Sequence, residues 1–463
     1  MKDLSVQSNC QPVLDAGFVP AALWNRNFLD LASSHSGART VVFGIYRPDG
    51  SCSRYSTRLL PDRTNFAELN ICYSERLVKF LLWAWGGHRI VIQGAPEIAA
   101  QLSAMYSATG VRSFDFDFLG GTVFGEPLVV ESGTVKESAP SESDRAEMTY
   151  QVNGCRIGFD LGGSDRKCAA IIDGKVVHSE EIKWNPYFES EPTYHLAGIR
   201  DSLERAVAHL PRLDAIGGSA AGIYINNEPR VGSLFRGLSA EDFDRHIRGL
   251  FRTLESEWKV PISVANDGDV TALAGAMSLG ENAVLGVSLG TSQAAGYVNS
   301  QGRITGWLNE LAFAPVDYRR NAPTDEWSGD AGCGVQYFSQ QAVARLIPAS
   351  GLDISGELPF AEQLESVQAE AARGDERAFD IYRTIGSYLG YTVAHYREFY
   401  DFRHLLLLGR VTSGEGGEVV LENAREVLKV EFPELADQVS LSMPDEQMKR
   451  HGQAVAAAAL PIL

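Results

Sequence analysis

Apolar and polar positions along the first part of the chain predict an alternation of strands and helices. Residues 38–60, ARTVVFGIYRPDGSCSRYSTRLL, predict two strands joined by a turn at Pro48-Asp49-Gly50. An apolar helix, a buried strand and a second helix are predicted next, in ERLVKFLLWAWGG, HRIVIQG and PEIAAQLSAMYSATG. The aromatic-rich segment VRSFDFDFLGGTVFGEPLVVE is predicted to be extended. This order predicts a small additional α/β domain over residues 1–150, closed by a linker rich in Ser, Glu and Pro at residues 131–148.

The next stretch, CRIGFDLGGSDRKCAAIIDGKVV at residues 155–177, predicts a hairpin: an apolar strand, a Gly-Gly-Ser turn and a second apolar strand. Asp160 stands where the first strand ends. A turn without Cβ atoms lets a phosphate approach backbone N–H groups, and a carboxylate beside it suits Mg²⁺. An ordinary hairpin is the alternative interpretation. The residues suited to phosphate are Gly162, Gly163, Ser164 and Lys167.

A second hairpin, AVLGVSLGTSQAAGYVNSQGRI at residues 283–304, repeats this design around a Gly-Thr-Ser turn. Gly290 follows Asp160 by 130 residues, a spacing that indicates a duplicated half-domain. Between the hairpins, the short strand PISVANDGD ends in acidic residues immediately before the helix VTALAGAMSLG. Asp269 is expected to cap that helix, since Asp favours the position before the first turn.

The last third of the chain predicts helices over residues 359–400, a buried strand in HLLLLG and a helix in GEVVLENAREVLKVEF. The final segment, HGQAVAAAALPIL, predicts a helix of small residues suited to close packing.

Length and composition restrict the class of protein. The 463 residues are too many for one compact core, and 44% hydrophobic with 22% charged residues is typical of globular proteins. A net charge of −18 speaks against a nucleic-acid-binding surface. No run approaches the ~18 apolar residues of a membrane span, and a cytoplasmic location is expected. The six cysteines show no regular spacing, so neither a disulfide framework nor a zinc knuckle is predicted.

Four pieces in order resemble the sugar kinase, Hsp70 and actin superfamily, and more narrowly the ROK family: FDLGGS, VANDGD, SLGTSQAAG and LLLLGRVTSG. The resemblance begins near residue 154 and leaves residues 1–150 uncovered. It implies an α/β fold of two ribonuclease-H-like lobes, residues 151–275 and 276–463. It also implies ATP in the cleft between the lobes, with a sugar deeper in the same cleft.

The resemblance also implies roles for single residues. Asp267 matches the catalytic base that takes the proton from the attacking sugar hydroxyl, and Asp160 is expected near Mg²⁺. Gly162, Gly163 and Ser164 match the first phosphate motif, with Lys167 beside them, and Gly290, Thr291 and Ser292 match the second. Gly409 and Arg410 stand at the adenosine motif, where Arg410 either stacks on the base or obstructs it. Asn266, Glu310 and Gly222 are expected to contact the sugar.

The chain departs from the family pattern at three places. Residues 293–295 read Gln-Ala-Ala instead of glycines, and their Cβ atoms are a possible obstacle to a nucleotide. Phe313 stands where the family has histidine, which leaves the sugar specificity open. The segment GDAGCGVQYF retains only Cys333 of a zinc motif, so a zinc site is not expected, because one soft ligand does not make a four-coordinate site.

The leading functional hypothesis is a carbohydrate kinase that uses ATP and Mg²⁺, and two alternatives stay open. One is a non-catalytic sugar sensor, which the altered glycine loops, Arg410 and the missing zinc site favour. The other is an ATPase that acts on a protein partner, with residues 1–150 as a docking module. These residues show no basic recognition helix, so neither a DNA-binding repressor nor a nucleic-acid partner is expected. No membrane partner is expected either, and a homodimer is possible.

Overall fold

The computed structural model describes residues 4–63, 65–136, 151–444 and 452–463. Its contacts divide the chain into two compact units. The first unit comprises residues 1–142, 287–295 and 306–443, and the second comprises 143–286, 296–305 and 444–463. The N-terminal residues therefore share a unit with most of the last third of the chain. Whether they also fold on their own stays a prediction.

The boundaries expected from the sequence, near 150 and 275, stay predictions, since each unit combines segments from different parts of the chain. Most of the expected linker, from residue 137 onward, lies outside the described residues. The strands in chain order are β1 (Arg39–Tyr46), β2 (Cys52–Leu59), β3 (Arg89–Gln93), β4 (Val129–Ser132), β5 (Cys155–Leu161), β6 (Asp165–Ile172), β7 (Lys175–Lys183), β8 (Ala215–Ala220), β9 (Ile223–Ile225), β10 (Glu228–Val231), β11 (Ile262–Asn266), β12 (Val284–Leu289), β13 (Gln293–Val298), β14 (His404–Leu408) and β15 (Ser440–Ser442).

Helices flank these strands. The α-helices are Ala21–Ser34, Ala67–Trp85, Pro96–Met105, Pro192–Val207, Leu250–Trp258, Asp267–Leu279, Gln340–Ser350, Phe360–Ala371, Glu376–Arg397, Glu415–Glu431 and Gln453–Ala458. Shorter helical pieces are Ser113–Asp115, Phe116–Phe124, Ser233–Phe235, Ala240–Asp242, Phe243–Ile247, Leu311–Phe313, Gly334–Gln336, Arg410–Thr412 and Pro433–Ala436. Among the described residues, no helix combines the length and the apolar character that a membrane crossing requires.

The N-terminal sheet of the first unit has the strand order β2-β1-β3-β4. Strand β1 pairs antiparallel with both β2 and β3, and β4 pairs parallel with β3. The predicted hairpin is confirmed, with Gly50 in the turn at a φ of 82°. The extended structure predicted for residues 111–131 is wrong except for β4, because residues 113–124 are helical.

The reason lies in the side chains of that segment. Its alternating Phe and Asp residues are typical of a strand, but Phe114 and Phe118 stack on each other one helical turn apart, with ring centroids 5.4 Å apart. Asp115 turns inward and accepts a hydrogen bond of 2.7 Å from the buried Lys79. Asp115 is therefore paired with a buried cation on another helix, a contact that the strand-like pattern of the segment does not reveal.

The sheet of the second unit has the order β11-β8-β5-β6-β7, in which β5, β6 and β7 are antiparallel and β8 and β11 run parallel to β5. The first unit contains β14 and β15, which belong to a sheet of order β13-β12-β14-β15. The predicted α/β class with two ribonuclease-H-like lobes is confirmed: one sheet places the antiparallel strands β6 and β7 beside the parallel strands β5, β8 and β11, and in the other sheet β14 pairs parallel with β15.

The C-terminal helix Gln453–Ala458 packs directly on the strands that carry the site of the second unit. A Cβ on Gly217 of β8 would overlap the carbonyl of Ala457, and one on Gly158 of β5 would overlap that of Ala454. The buried guanidinium of Arg156 donates to the carbonyls of Ala458 and Pro461 at 3.0 and 2.9 Å. The close packing predicted for this small-residue helix is thereby confirmed.

Candidate active site

Asp160 lies near the carboxyl end of β5, with 7% of its surface exposed. Its register partner on β8 is Ser219, whose Oγ donates a hydrogen bond of 2.7 Å to Asp160 Oδ1. Burial raises the pKa of Asp160, and the hydroxyl of Ser219 and the charge of Lys167 only partly oppose that rise. The carboxylate is thus fixed in place and poorly solvated.

Asp267 is the first residue of the helix that follows β11. Because β5, β8 and β11 are parallel, their carboxyl ends meet at one edge of the sheet, which brings Asp267 near Asp160. Burial and then the charge of Asp160 raise the pKa of Asp267 to about 6. A carboxyl group with this pKa is mostly ionised near neutral pH and still basic enough to accept a proton.

Asn266 caps the helix that begins with Asp267. Its Oδ1 accepts from the backbone N–H of Gly268 at 2.7 Å, and its Nδ2 donates to the carbonyl of Gly222 at 2.6 Å. The expectation that Asp269 would be the cap is wrong, because Asp269 lies inside the helix, where its Oδ1 accepts from the N–H of Tyr297 at 3.3 Å. The amide of Asn266 therefore links two loops, and the sugar contacts expected of Asn266 and Gly222 stay predictions.

The Gly-Gly-Ser turn between β5 and β6 already uses several of its polar groups. The N–H of Gly162 donates to the carbonyl of Asp165 at 2.9 Å, and the carbonyl of Gly162 accepts from Trp184 Nε1 at 2.7 Å. Ser164 Oγ donates to Asp165 Oδ2 at 2.9 Å, and Lys167 Nζ lies 3.7 Å from Asp165 Oδ1. The carboxylate of Asp165 thus lies beside the Ser164 hydroxyl and the Lys167 ammonium, the two groups expected to bind a phosphate.

Tyr187 lies against the same turn, a contact that sequence reasoning missed. A Cβ on Gly163 would overlap the hydroxyl of Tyr187. The guanidinium of Arg236 lies 4.1 Å from the centroid of the Tyr187 ring, a cation–π contact that holds the ring. Gly163 therefore makes room for a protein ring on one side. The aromatic residues that follow β7 are the only signal of such a contact in the sequence, and they do not show that Gly163 is the partner.

The Gly-Thr-Ser turn between β12 and β13, which lies in the first unit, exposes its polar side chains to solvent. Thr291 and Ser292 are exposed, whereas the Gln293 side chain is buried and donates to Tyr396 Oη at 3.2 Å. The carbonyl of Gly290 accepts from the N–H of Gln340 at 2.9 Å. The amide of Gln293 therefore points into the core rather than across the turn.

Gly409 follows β14 with a φ of 98°, a conformation that favours glycine. A Cβ at this position would overlap the backbone carbonyl of Leu289. Strand packing alone is thus a sufficient reason for Gly409. The side chain of Arg410 is exposed, and its carbonyl accepts from Gln368 Nε2 at 2.8 Å.

Glu310 lies at the start of the turn Leu311–Phe313, and its backbone N–H donates to the carbonyl of Trp83 at 2.9 Å. Phe313, at the position of the family histidine, packs on Trp83 with ring centroids 4.4 Å apart. Cys333 is buried 3.6 Å from Asp330 Oδ2. Within the part of the chain that the structure describes, no group of three or more His, Cys, Asp or Glu side chains is arranged to hold a metal ion.

The expected site residues fall into two sets. The second unit brings together those around β5, β8 and β11, namely Asp160, Gly162, Gly163, Ser164, Lys167, Gly222, Asn266 and Asp267. The first unit holds Gly290, Thr291, Ser292, Glu310, Gly409 and Arg410.

Comparisons with solved structures find proteins of similar fold. The chain is similar to a hexokinase of the ROK family from Thermus thermophilus, with 19% identity and a TM-score of 0.51 over 66% of this chain and 97% of that one. It is also similar to a putative sugar kinase from Cytophaga hutchinsonii, with 14% identity and a TM-score of 0.51 over 66% and 99%. A transcriptional regulator of the ROK family, a homologue of the E. coli MLC protein, shows 20% identity and a TM-score of 0.50 over 66% and 78%.

At these identities the likeness shows the fold alone, and no curated protein matches the sequence. The model of the ROK family itself matches residues 156–447, which is more than half of the chain. Together with the motifs at the ends of β5 and β11, this match shows that the chain belongs to the ROK family.

Proposed function

We propose that the protein is an ATP-dependent carbohydrate kinase that transfers the γ-phosphoryl group to a hydroxyl of a hexose or hexose derivative. In this reaction Asp267 accepts the proton of the sugar hydroxyl while that oxygen bonds to the γ-phosphorus. The bond between the γ-phosphorus and its bridging oxygen breaks, and ADP leaves with the bonding electrons.

The observation that carries the proposal is the pair Asp160 and Asp267. Asp160 is buried and Asp267 is half-buried at the same edge of the sheet, and the repulsion between the two carboxylates contributes to the pKa of about 6 at Asp267. Two neighbouring acids that are both partly desolvated and lack a cation between them cost free energy, which a purely structural site has no reason to bear. Perturbed carboxylates of this kind cluster at functional sites.

The same pair suits Mg²⁺. Asp160 offers hard carboxylate oxygen, and a divalent cation would relieve the repulsion between the two acids. Mg²⁺ bound with ATP would neutralise charge on the transferring phosphoryl group. Ser219 holds Asp160 for this role through its hydrogen bond, and Asn266 orients the helix start that carries Asp267.

In the first unit, the exposed Thr291 and Ser292 are the residues that we assign to the terminal phosphates, and the exposed Arg410 to the adenine. The inward turn of Gln293 supports the assignment, since its amide does not occupy the space above the turn. Glu310 is assigned to the sugar.

The proposal is tested by measuring ADP release with MgATP over a panel of hexoses, amino sugars and N-acylated sugars, and by identifying a sugar phosphate by mass spectrometry. We expect release that depends on one class of sugar and yields an equal amount of sugar phosphate. ADP release without any sugar phosphate would instead favour an ATPase. Binding of a sugar without either product would favour a sensor.

One observation favours the sensor as a second candidate. The first phosphate turn is partly covered, because Tyr187 lies on Gly163 and the N–H of Gly162 is already bonded to Asp165. A sensor that binds sugar alone does not need that turn. Removing the ring with Tyr187→Ala and measuring the affinity for MgATP separates the two: a Kd that falls by tenfold or more supports an occluded turn and the sensor.

A further inference from the structure

The expected sugar contact Glu310 is held by residues of the N-terminal segment, which the family match does not cover. We infer that residues 67–85 and Asn309 are part of the sugar site and position Glu310, so that the N-terminal segment helps set the affinity for sugar. This inference rests on the proposed function, and it gives that segment a role within the site rather than as a separate module.

The first step is the end of the helix Ala67–Trp85. The last carbonyls of a helix have no partner within it and need donors from elsewhere. Here the carbonyls of Trp83 and Ala84 accept from the backbone N–H groups of Glu310 and Asn309, both at 2.9 Å. These two consecutive hydrogen bonds fix the position and the direction of the backbone at Glu310 relative to the helix end.

The second step is the conformation of Asn309. Its φ of 55° is left-handed, which Asn tolerates better than most residues, and only 2% of its surface is exposed. Tyr400 Oη donates to Asn309 Oδ1 at 3.1 Å and lies 3.5 Å from the carbonyl of Ala84. The hydroxyl of Tyr400 therefore holds the side chain of Asn309 and lies beside the same helix end that holds its backbone.

The third step is the packing after Glu310. Phe313 lies against the ring of Trp83, which is fully buried and whose Nε1 donates to Asp115 Oδ1 at 2.7 Å. Lys79, one turn earlier on the helix, donates to the same carboxylate oxygen at 2.7 Å. Both sides of Glu310 are thus bonded or packed against one rigid helix of the N-terminal segment.

A positioning role makes a different prediction from a merely structural one. Loss of the Tyr400 hydroxyl should loosen Asn309 and Glu310 and so raise the KM for sugar, whereas the KM for ATP should not change. The matched control is Tyr382→Phe in the same unit, because the buried hydroxyl of Tyr382 has no hydrogen-bond partner among the described residues.

The experiment compares wild type, Tyr400→Phe, Asn309→Ala, Asn309→Gly and Tyr382→Phe with the best sugar of the panel. We expect the KM for sugar to rise about fivefold in Tyr400→Phe and about tenfold in Asn309→Ala, since one lost hydrogen bond corresponds to changes of this size. Asn309→Gly should recover part of the affinity, because glycine accepts the left-handed conformation. Tyr382→Phe should match wild type.

Adding Tyr400→Phe to Glu310→Gln then tests whether the hydroxyl acts through Glu310. We expect little further rise in the KM, because a positioning residue has no effect once the group it positions is gone. Equal and independent effects in the two backgrounds would overturn the inference. So would a Tyr400→Phe variant with the kinetics of Tyr382→Phe, while the proposed function would stand. A wild type that phosphorylates no sugar would overturn both.

Discussion

Asp160 lies close enough to Asp267 for its charge to add to the effect of burial, and together they raise the pKa of Asp267 to about 6. The two residues come from different strands, and only the parallel arrangement of β5, β8 and β11 brings them to one edge. The pair combines a base suited to neutral pH with a carboxylate suited to a cation. Several measurable consequences depend on that geometry.

The rate of a reaction that needs ionised Asp267 should depend on pH. We expect kcat/KM for MgATP, which reports the enzyme before Mg²⁺ binds beside Asp160, to rise with pH through a midpoint near 6 and to level off above pH 7, since the base works only when it is deprotonated. A pH–rate profile from pH 4.5 to 8.5 measures this. A midpoint near 4, the ordinary value for Asp, would show that the two carboxylates do not interact as described.

Asp267 should also lower the stability of the fold at neutral pH. Its pKa is higher in the folded than in the unfolded protein, so the folded state gains relative stability below pH 4 and loses it as pH rises through 6. Asp267→Asn removes this cost and should be more stable than wild type at pH 7.5 by up to roughly 3 kcal/mol, from about 1.4 kcal/mol per pKa unit.

Urea unfolding at pH 7.5 and at pH 4 checks this difference. The gain should become much smaller at pH 4, where Asp267 is protonated in the folded state and about half protonated in the unfolded state. Asp244→Asn, at an exposed position of the same unit, is the control and should change little at either pH. A loss of stability in Asp267→Asn at pH 7.5 would mean that the ionised carboxylate is compensated by a stronger partner.

The C-terminal helix should depend on Gly217. A Cβ at this position would overlap the carbonyl of Ala457, so Gly217→Ala must displace the helix or the strand. We expect the free energy of unfolding, measured in urea, to fall by about 2 kcal/mol or more, as in other overpacked cores. Gly249→Ala is the control, because a Cβ there meets nothing within 4 Å. Equal stability of the two variants would contradict the close packing of this helix.

The buried Lys79 should be costly to remove. Burial disfavours its charge, but the carboxylates of Asp115 and Asp330 outweigh this and raise the pKa of Lys79. Lys79→Met leaves both acids without the ammonium. We expect the free energy of unfolding, measured in urea, to fall by about 3 kcal/mol. Lys79→Met combined with Asp115→Asn should recover part of it. The control is Lys175→Met, at an exposed position. If Lys79→Met lowered the free energy of unfolding no more than Lys175→Met, Lys79 would contribute little to stability.

Local patterns predicted the hairpins, the main helices and the order of the motifs, because each depends on neighbours in the sequence. The extended structure predicted for residues 111–131 is wrong, and the buried partner of this segment, Lys79, is distant in sequence and so could not inform the prediction. The N-cap of the helix that begins at Asp267 was predicted at the wrong residue, Asp269. Asn266 is the cap, and its amide also donates to Gly222, a contact that the sequence does not contain.

Site residues were predicted by type rather than by contact. The pattern around Gly163 indicated a phosphate turn, but Tyr187 on that turn became visible only in three dimensions. Gly409 was assigned to the adenine, whereas its close approach to Leu289 provides an independent reason for glycine. The pairing of Glu310 with Trp83 joins parts of the chain more than 200 residues apart, and no local pattern signals it.

The most direct test of the kinase is Asp267→Asn, measured for both binding and turnover. Calorimetry should show that the variant binds the sugar with a Kd within about threefold of wild type, because its shape is nearly unchanged. The kcat for sugar phosphate should fall by a hundredfold or more, the effect of losing a positioned base. A variant that retains more than a tenth of the wild-type kcat would contradict the role of Asp267 as the base.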